Sequence, residues 1–294
     1  EWWEVLHTAL KTASELNIEI GIFNSPGWSQ SGGPWIKPEQ SMRYLASSET
    51  LVKGGNNVEV SLPKPHPQFQ DVRVVAFKTP KDYGKTLGDL GAIVTSIPVI
   101  TNLQNIIDQD TLTGITLTDT NKITIDFITQ KDFTARSLTV YPAKYQMTAA
   151  AELQVKEAGG YRTIKAFEID RRKSALYVGF DPYAPVVVSL TATTSKQFRL
   201  VLQRSILDKQ PFPKYGIREF ILSPMPKVER YAEKTFAKMH QTPLPYWNEY
   251  QWLQQPVVDD EHLLIKPQEV VDLSRLMSPL SFDKKFIFSL QMND

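Results

Sequence analysis

Cysteine is absent from the 294 residues, which removes disulfides, cysteine-ligated zinc and thiol chemistry, yet leaves the compartment open, because many exported bacterial proteins also lack cysteine. Histidine is scarce: His7, His66, His240 and His262 are scattered without an HxH or HExxH spacing, so a histidine-built metal site has no support. Charge of one sign is not in excess. Thirty-three basic residues face 32 acidic ones with no long block of either, which argues against a partner bound by counterion release, nucleic acid above all. Long apolar runs are missing too; "APVVVSL" from Ala184 falls far short of the roughly 20 residues that span a bilayer, so no membrane span is expected. Neither an internal repeat nor a low-complexity tract is present.

What is there reads as an ordinary globular chain, 41% hydrophobic and 22% charged, long enough for two domains. Trp2, Trp3, Leu6, Ala9, Leu10, Ala13 and Leu16 recur at helical spacing from the first residues onward. After "ELN", Ile18, Ile20 and Ile22 alternate in the period of a strand, and Gly21 and Phe23 on the other face suit burial on both sides in a parallel sheet. Helix, strand and long loop together form the grammar of a barrel or doubly wound sheet, in which the loop after the strand carries the site. A helix is expected from Pro38 through Met42, Leu45 and Leu51 to the glycines at Gly54 and Gly55.

From about Asn56 the texture changes to short strands rich in Val, Ile and Thr: "VRVVAFKT", "TLTGITLT", "KITIDFIT", "ARSLTVYP", "AELQVKE", "TIKAFEI", "APVVVSLTA", "KQFRLVL" and "REFILS". "TDTNK" and "EAGGYR" read as hairpin links. This density describes an antiparallel sandwich or jelly roll. Helical spacing returns at Tyr231, Thr235, Phe236 and Met239, followed by a proline- and aromatic-rich loop, a connection through "EVVDLSRLM" and a last strand. The expected architecture is α/β plus all-β: a partial barrel segment at 1–55, a β-sandwich at 56–226, and a helix, loop and further strand at 227–294. Both ends read as cuts through something longer, since Glu1 already stands at a helical pattern and "KKFIFSLQMND" stops on a strand.

The loop "NSPGWSQSGGPW" is the strongest chemical signal. Trp28 and Trp35 on a glycine-shaped loop offer flat apolar faces that fit the apolar face of a sugar ring. Asn24, Ser25, Ser29, Gln30 and Ser31 supply hydrogen-bonding groups for hydroxyls. The competing reading is that both tryptophans fold inward and plug the end of a barrel. The loop contains neither GxxxxGK[ST] nor GxSxG. No pair among the 32 acids stands out as a hydrolytic couple. Glu39, nearest the loop, sits where an acid serves a helix dipole. Asp259, Asp260 and Glu261 are either a calcium cluster or a solvated turn, without the EF-hand spacing. Tyr141, Tyr145, Tyr161 and Tyr183 on outward sandwich positions are candidates for a sugar-binding face, against the ordinary occurrence of exposed aromatics.

At "IGIFNSPGWSQSGGPWIKPEQSMRYLASSE", Ile20 to Glu49, the sequence resembles the glycoside hydrolase family 106 α-L-rhamnosidases, through the combination of NxPGWS, SGGPW and PEQSM. "EVVDLSRLM" resembles a segment that these enzymes carry after a sandwich, and the strand-rich middle is similar to galactose-binding-like sandwiches. The resemblance implies a (β/α)8-type (TIM) barrel accompanied by β-sandwich domains. It also implies inverting hydrolysis of terminal α-L-rhamnose from plant-type glycans, two glutamates as acid and base, a calcium ion near the sugar, and a secreted or periplasmic bacterial enzyme. Neither glutamate matches a position here, so the chain alone is expected to be inactive. Asn24, Trp28, Ser31 and Trp35 then form part of the substrate wall, while the catalytic and metal-binding residues stay unassigned. The alternative is a non-catalytic carbohydrate-binding β-sandwich protein.

Overall fold

The computed structural model describes residues 1–21, 37–40, 43, 45–53, 57–65, 69–118, 120–143, 147–171, 184–204, 215–234, 254–276 and 285–289. The chain divides into two compact units, 1–43 and 44–294.

In the first unit, α1 spans Trp2–Glu15. It stops where the sequence permits a turn. Asn17 takes the left-handed conformation (φ 54°), while the Ile18 N–H donates to the Ala13 carbonyl at 2.8 Å and the Asn17 N–H to Ser14 at 3.4 Å. This is the paired-bond helix end that Asn or Gly makes possible. Within α1 only Ala13 is buried. The expected strand from Ile18 onward is corrected: Ile18 to Gly21 form no strand, and Ile18 and Ile20 are exposed. A strand exists only through a hydrogen-bonded neighbour, and every ladder among the described residues is antiparallel between other segments. The helix expected from Pro38 is corrected as well. A single 3₁₀ turn, Pro38–Gln40, gives way to non-helical backbone at 45–53.

The second unit is built on a seven-stranded antiparallel sheet system. Its strands are β3 (Ile93–Ile97), β4 (Ile115–Thr116), β5 (Lys122–Ala143), β6 (Thr148–Glu157), β7 (Gly160–Asp170), β8 (Val186–Arg204) and β9 (Gly216–Ser223). Two long strands make it a sandwich. The first half of β5 lies between β3 and the end of β8, which continues to β6 and β7; the second half lies between the start of β8 and β9, which continues to β4. Register shifts between Ile128 and Phe133 and between Ala135 and Ser137 mark the passage from one layer to the other, the means by which strands turn a sandwich corner. Phe127 on the first half of β5 stacks on Phe220 of β9 with ring centroids 4.2 Å apart and 10° between planes, so the layers meet face to face.

Ile123, Ile125 and Phe127 point into this core at alternate positions, as do Leu138 and Val140, Val186 and Val188, Leu200 and Leu202. The strands expected as "KITIDFIT" and "ARSLTVYP" are therefore one strand, and so are "APVVVSLTA" and "KQFRLVL". "EAGGYR" is the hairpin between β6 and β7. "TDTNK" is not a hairpin, because β4 pairs with β9 instead of β5.

Two small ladders flank the sandwich. β1 (Asn57–Ser61) pairs with β11 (Lys285–Ser289), and β2 (Val75–Ala76) pairs with β10 (Val271–Asp272). Val60, Val74 and Leu273 form a separate apolar cluster at this place. The short helix α2, Tyr231–Lys234, begins the helical stretch read from the sequence; Thr235, Phe236 and Met239 lie outside the described residues.

Candidate functional site

The sugar-wall residues read from the sequence, Asn24, Trp28, Ser31 and Trp35, lie outside the described residues. The far flank of their loop is fixed locally: the Lys37 N–H donates to Gln40 Oε1 at 2.8 Å and closes the Pro38–Gln40 turn. Glu39 is exposed there.

Of the tyrosine face proposed for the sandwich, Tyr161 and Tyr141 are described. Tyr161 donates its hydroxyl to Asp126 at 2.9 Å, and the Arg199 guanidinium lies 3.4 Å from its ring centroid. Lys156 stands 4.9 Å from the same ring. Arg199 also forks onto Asp126 at 2.7 and 2.8 Å. A ring engaged by two cations is not a free stacking platform for a sugar. Tyr141 is half-buried beside Tyr231, and burial raises its hydroxyl pKa. Tyr145 and Tyr183 lie outside the described residues.

The Asp259–Glu261 stretch resolves to a strap. Asp259 takes both arms of Arg136, at 2.7 and 2.8 Å, and the guanidinium holds its carboxyl below the ordinary aspartate value. Asp260 caps the turn Glu261–Leu263 by accepting the His262 N–H at 2.9 Å. Gln255 donates to Ser189 Oγ at 3.1 Å and to the Lys227 carbonyl at 3.2 Å. These bonds hold 255–259 across the second layer of the sandwich and leave a cleft of about 200 Å³ between Leu190, Pro226, Lys227, Val257 and Leu264. A second, wider groove of about 420 Å³ lies between Lys78, Lys81, His262, Lys266 and Glu269.

Sequence reasoning missed the most unusual polar group, Glu219 on β9. Its side chain is 1% exposed. Oε1 accepts the Gln109 N–H at 2.6 Å, but Oε2 has no hydrogen-bond partner. The group that faces it is the Asp108 carboxyl, another acceptor, and burial, with Asp108 beside it, pushes Glu219 up to about 7. The two carboxyls are within hydrogen-bonding reach of each other, without the gap of about 6.5–9.5 Å that an inverting glycosidase keeps open for a water. Glu219 and Asp108 are therefore not such a catalytic pair. No group of three or more His, Asp or Glu side chains is placed to hold a metal among the described residues, so the calcium implied beside the sugar finds no such ligand set there. No helix among them is long and apolar enough to cross a membrane.

The model of the α-L-rhamnosidases of glycoside hydrolase family 106 matches residues 1–283. The chain belongs to this α-L-rhamnosidase family. The rhamnosidase from Novosphingobium sp. PP1Y has the same fold over 94% of this family member, with a TM-score of 0.64 and 24% identity, and the match covers 25% of that enzyme. A putative β-glucuronidase from Formosa agariphila is 38% identical over 84 residues, 28% of this chain and 7% of that protein. The chain thus spans a quarter or less of these two larger proteins. Mostly antiparallel β structure is what this part of the rhamnosidase fold consists of here.

Proposed function

We propose that this chain is part of a glycoside hydrolase that removes terminal α-L-rhamnose from plant-type glycans with inversion, and that the loop at 22–36 lines the sugar pocket. The observation that carries the reading is the family match, which runs from residue 1 to 283 and so takes in both that loop and the sandwich. On this reading α1 and the segment after it belong to a (β/α)8-type barrel. The acid and base glutamates come from outside this sequence. Trp28 and Trp35 stack on the sugar while Asn24 and Ser31 bond its hydroxyls. A calcium ion lies near the sugar on this reading, with no ligand assigned in this chain. On this reading the enzyme is secreted or periplasmic, as the family resemblance implies.

The occupied ring of Tyr161 and the half-burial of Tyr141 weigh against a sandwich that binds sugar by itself. The test is hydrolysis of an aryl α-L-rhamnoside by the full-length parent. Trp28→Ala is expected to lower kcat/KM by about tenfold or more, on the order of 1.4 kcal/mol of lost transition-state binding. A parent that hydrolyses the substrate equally well with Trp28→Ala and Trp35→Ala would remove the loop from the site. A parent silent on α-L-rhamnosides would overturn the activity itself.

A further inference from the structure

The ladder of β2 and β10 opens a groove at one end. Ala76 pairs with Val271 in antiparallel register, so the residues that leave β2 and those that enter β10 lie side by side. The stretch 78–81 forms one wall and 261–269 the other, with about 420 Å³ between them, within the roughly 300–1,000 Å³ of ligand-sized pockets. Lys78 and Lys81 stand on the first wall and Lys266 on the second, all three exposed. The neighbouring acids are engaged locally. The Tyr83 N–H donates to the Pro80 carbonyl at 3.1 Å, and within this turn Asp82, in the left-handed conformation (φ 66°), takes Lys85 as its partner. Glu269 turns Oε2 to the Lys266 N–H at 3.2 Å and closes its own turn. Among the described residues no ion pair joins Lys78, Lys81 or Lys266 to an acid.

Ammonium groups on facing walls attract an anion from both sides, and each is a point charge that bonds an oxyanion without demanding one geometry. Pro80, Leu264 and Ile265 give the groove an apolar side, which suits the C–H face of a sugar ring. No aromatic ring lines it among the described residues, so nothing there stacks on a nucleobase. Glu261 and Glu269, which line the same groove, weaken the field, and this favours a chain with one carboxylate per sugar over a densely sulfated one. We infer that this groove binds a stretch of uronic-acid glycan, its carboxylates held by Lys78 and Lys81 on one wall and Lys266 on the other. The inference rests on the glycan-directed reading above for the class of polymer and adds a second hold on it. Such a hold raises the effective concentration of the polymer at a hydrolytic site by tethering.

The test is isothermal titration calorimetry of this chain with a short oligogalacturonate, which is expected to show saturable binding that weakens as salt is raised. The methyl-esterified oligomer, which keeps the sugar rings and lacks the charges, is expected not to bind. Lys78→Gln, Lys81→Gln and Lys266→Gln should each weaken binding by about two- to fivefold, the range of an exposed ion pair, and the triple variant by about tenfold or more. Lys131→Gln, at the exposed bend of β5, should bind as the wild type does, and all of these variants should keep the wild-type melting temperature, since they change surface side chains. No saturable binding at millimolar oligogalacturonate would overturn the proposal, as would a triple variant that binds like the wild type. Equal binding of the methyl ester would remove the lysine charges from recognition and overturn it as well. Dextran sulfate or single-stranded DNA bound as tightly as the uronate would overturn the choice of a uronic-acid chain. Binding is read without hydrolysis, so its failure is distinct from that of a parent silent on α-L-rhamnosides.

Discussion

Arg171 is a fully buried cation whose guanidinium is held by backbone carbonyls. Its guanidinium donates to the carbonyls of Ala184 at 2.6 Å, Pro185 at 2.5 Å and Asp170 at 2.9 Å, and its own N–H donates to Met147. It thereby ties the end of β7 to the approach of β8. Arg171→Met fills similar space but strands those carbonyls, so it should cost ~3 kcal/mol. Thermal melting is expected to fall by about 6–12 °C; a fall under 2 °C would show that water replaces the guanidinium. Nothing in the composition marks Arg171, because whether an arginine is buried depends on what packs over it. The same holds for Glu219. The tryptophans proposed for the sugar wall, which lie outside the described residues, stand out in the sequence for the opposite reason: large aromatics among glycines and serines are noticed without any knowledge of neighbours.

Among the elements, the strap at 255–259 depends on Arg136. Asp259 is 45% exposed, so solvent screens the pair and Arg136→Met should cost only ~0.5–1 kcal/mol overall. Its effect is local. Hydrogen exchange at 255–260 should quicken while exchange in β5 and β8 stays as it was, and quickening throughout the sandwich would contradict a local strap. The pH dependence follows from the depressed carboxyl. Because the folded value lies below 3.8, the pair contributes its full stability above that pH and loses it as pH falls through the lower folded value, so the strap should loosen only in strong acid.

Gly114 is the second elemental lock. Gly114→Ala would push the loop off β9, since the added carbon meets the Ile217 carbonyl oxygen at 2.6 Å and Arg218 Cα at 2.9 Å. A loss of ~1–3 kcal/mol in denaturant unfolding is expected, and an unchanged midpoint would show that the loop yields freely. The alternation of Ile123, Ile125 and Phe127 made the strands legible. Their continuity was not, because Lys131 and Asp132 interrupt the pattern where β5 turns the corner, as exposed polar residues at a bend do. β3 was missed because its five residues are bounded by a proline and alternate only weakly. The helix expected after Pro38 rested on three widely spaced apolar residues, too few to bury a face.

At the scale of the whole molecule, the sandwich carries its own core, from Leu87 to Leu222. The family match joins it to the segment at 1–55 with its tryptophan loop. On the proposed reading, this chain, whose match covers a quarter of the Novosphingobium rhamnosidase, supplies only part of a catalytic centre that needs two carboxylates about 6.5–9.5 Å apart. The most direct measurement is release of the aryl group from an α-L-rhamnoside by the full-length parent and by this chain, side by side at equal concentration. The account predicts an active parent and a silent chain. A silent parent would contradict the rhamnosidase reading, and an active chain would contradict the claim that its catalytic carboxylates come from elsewhere.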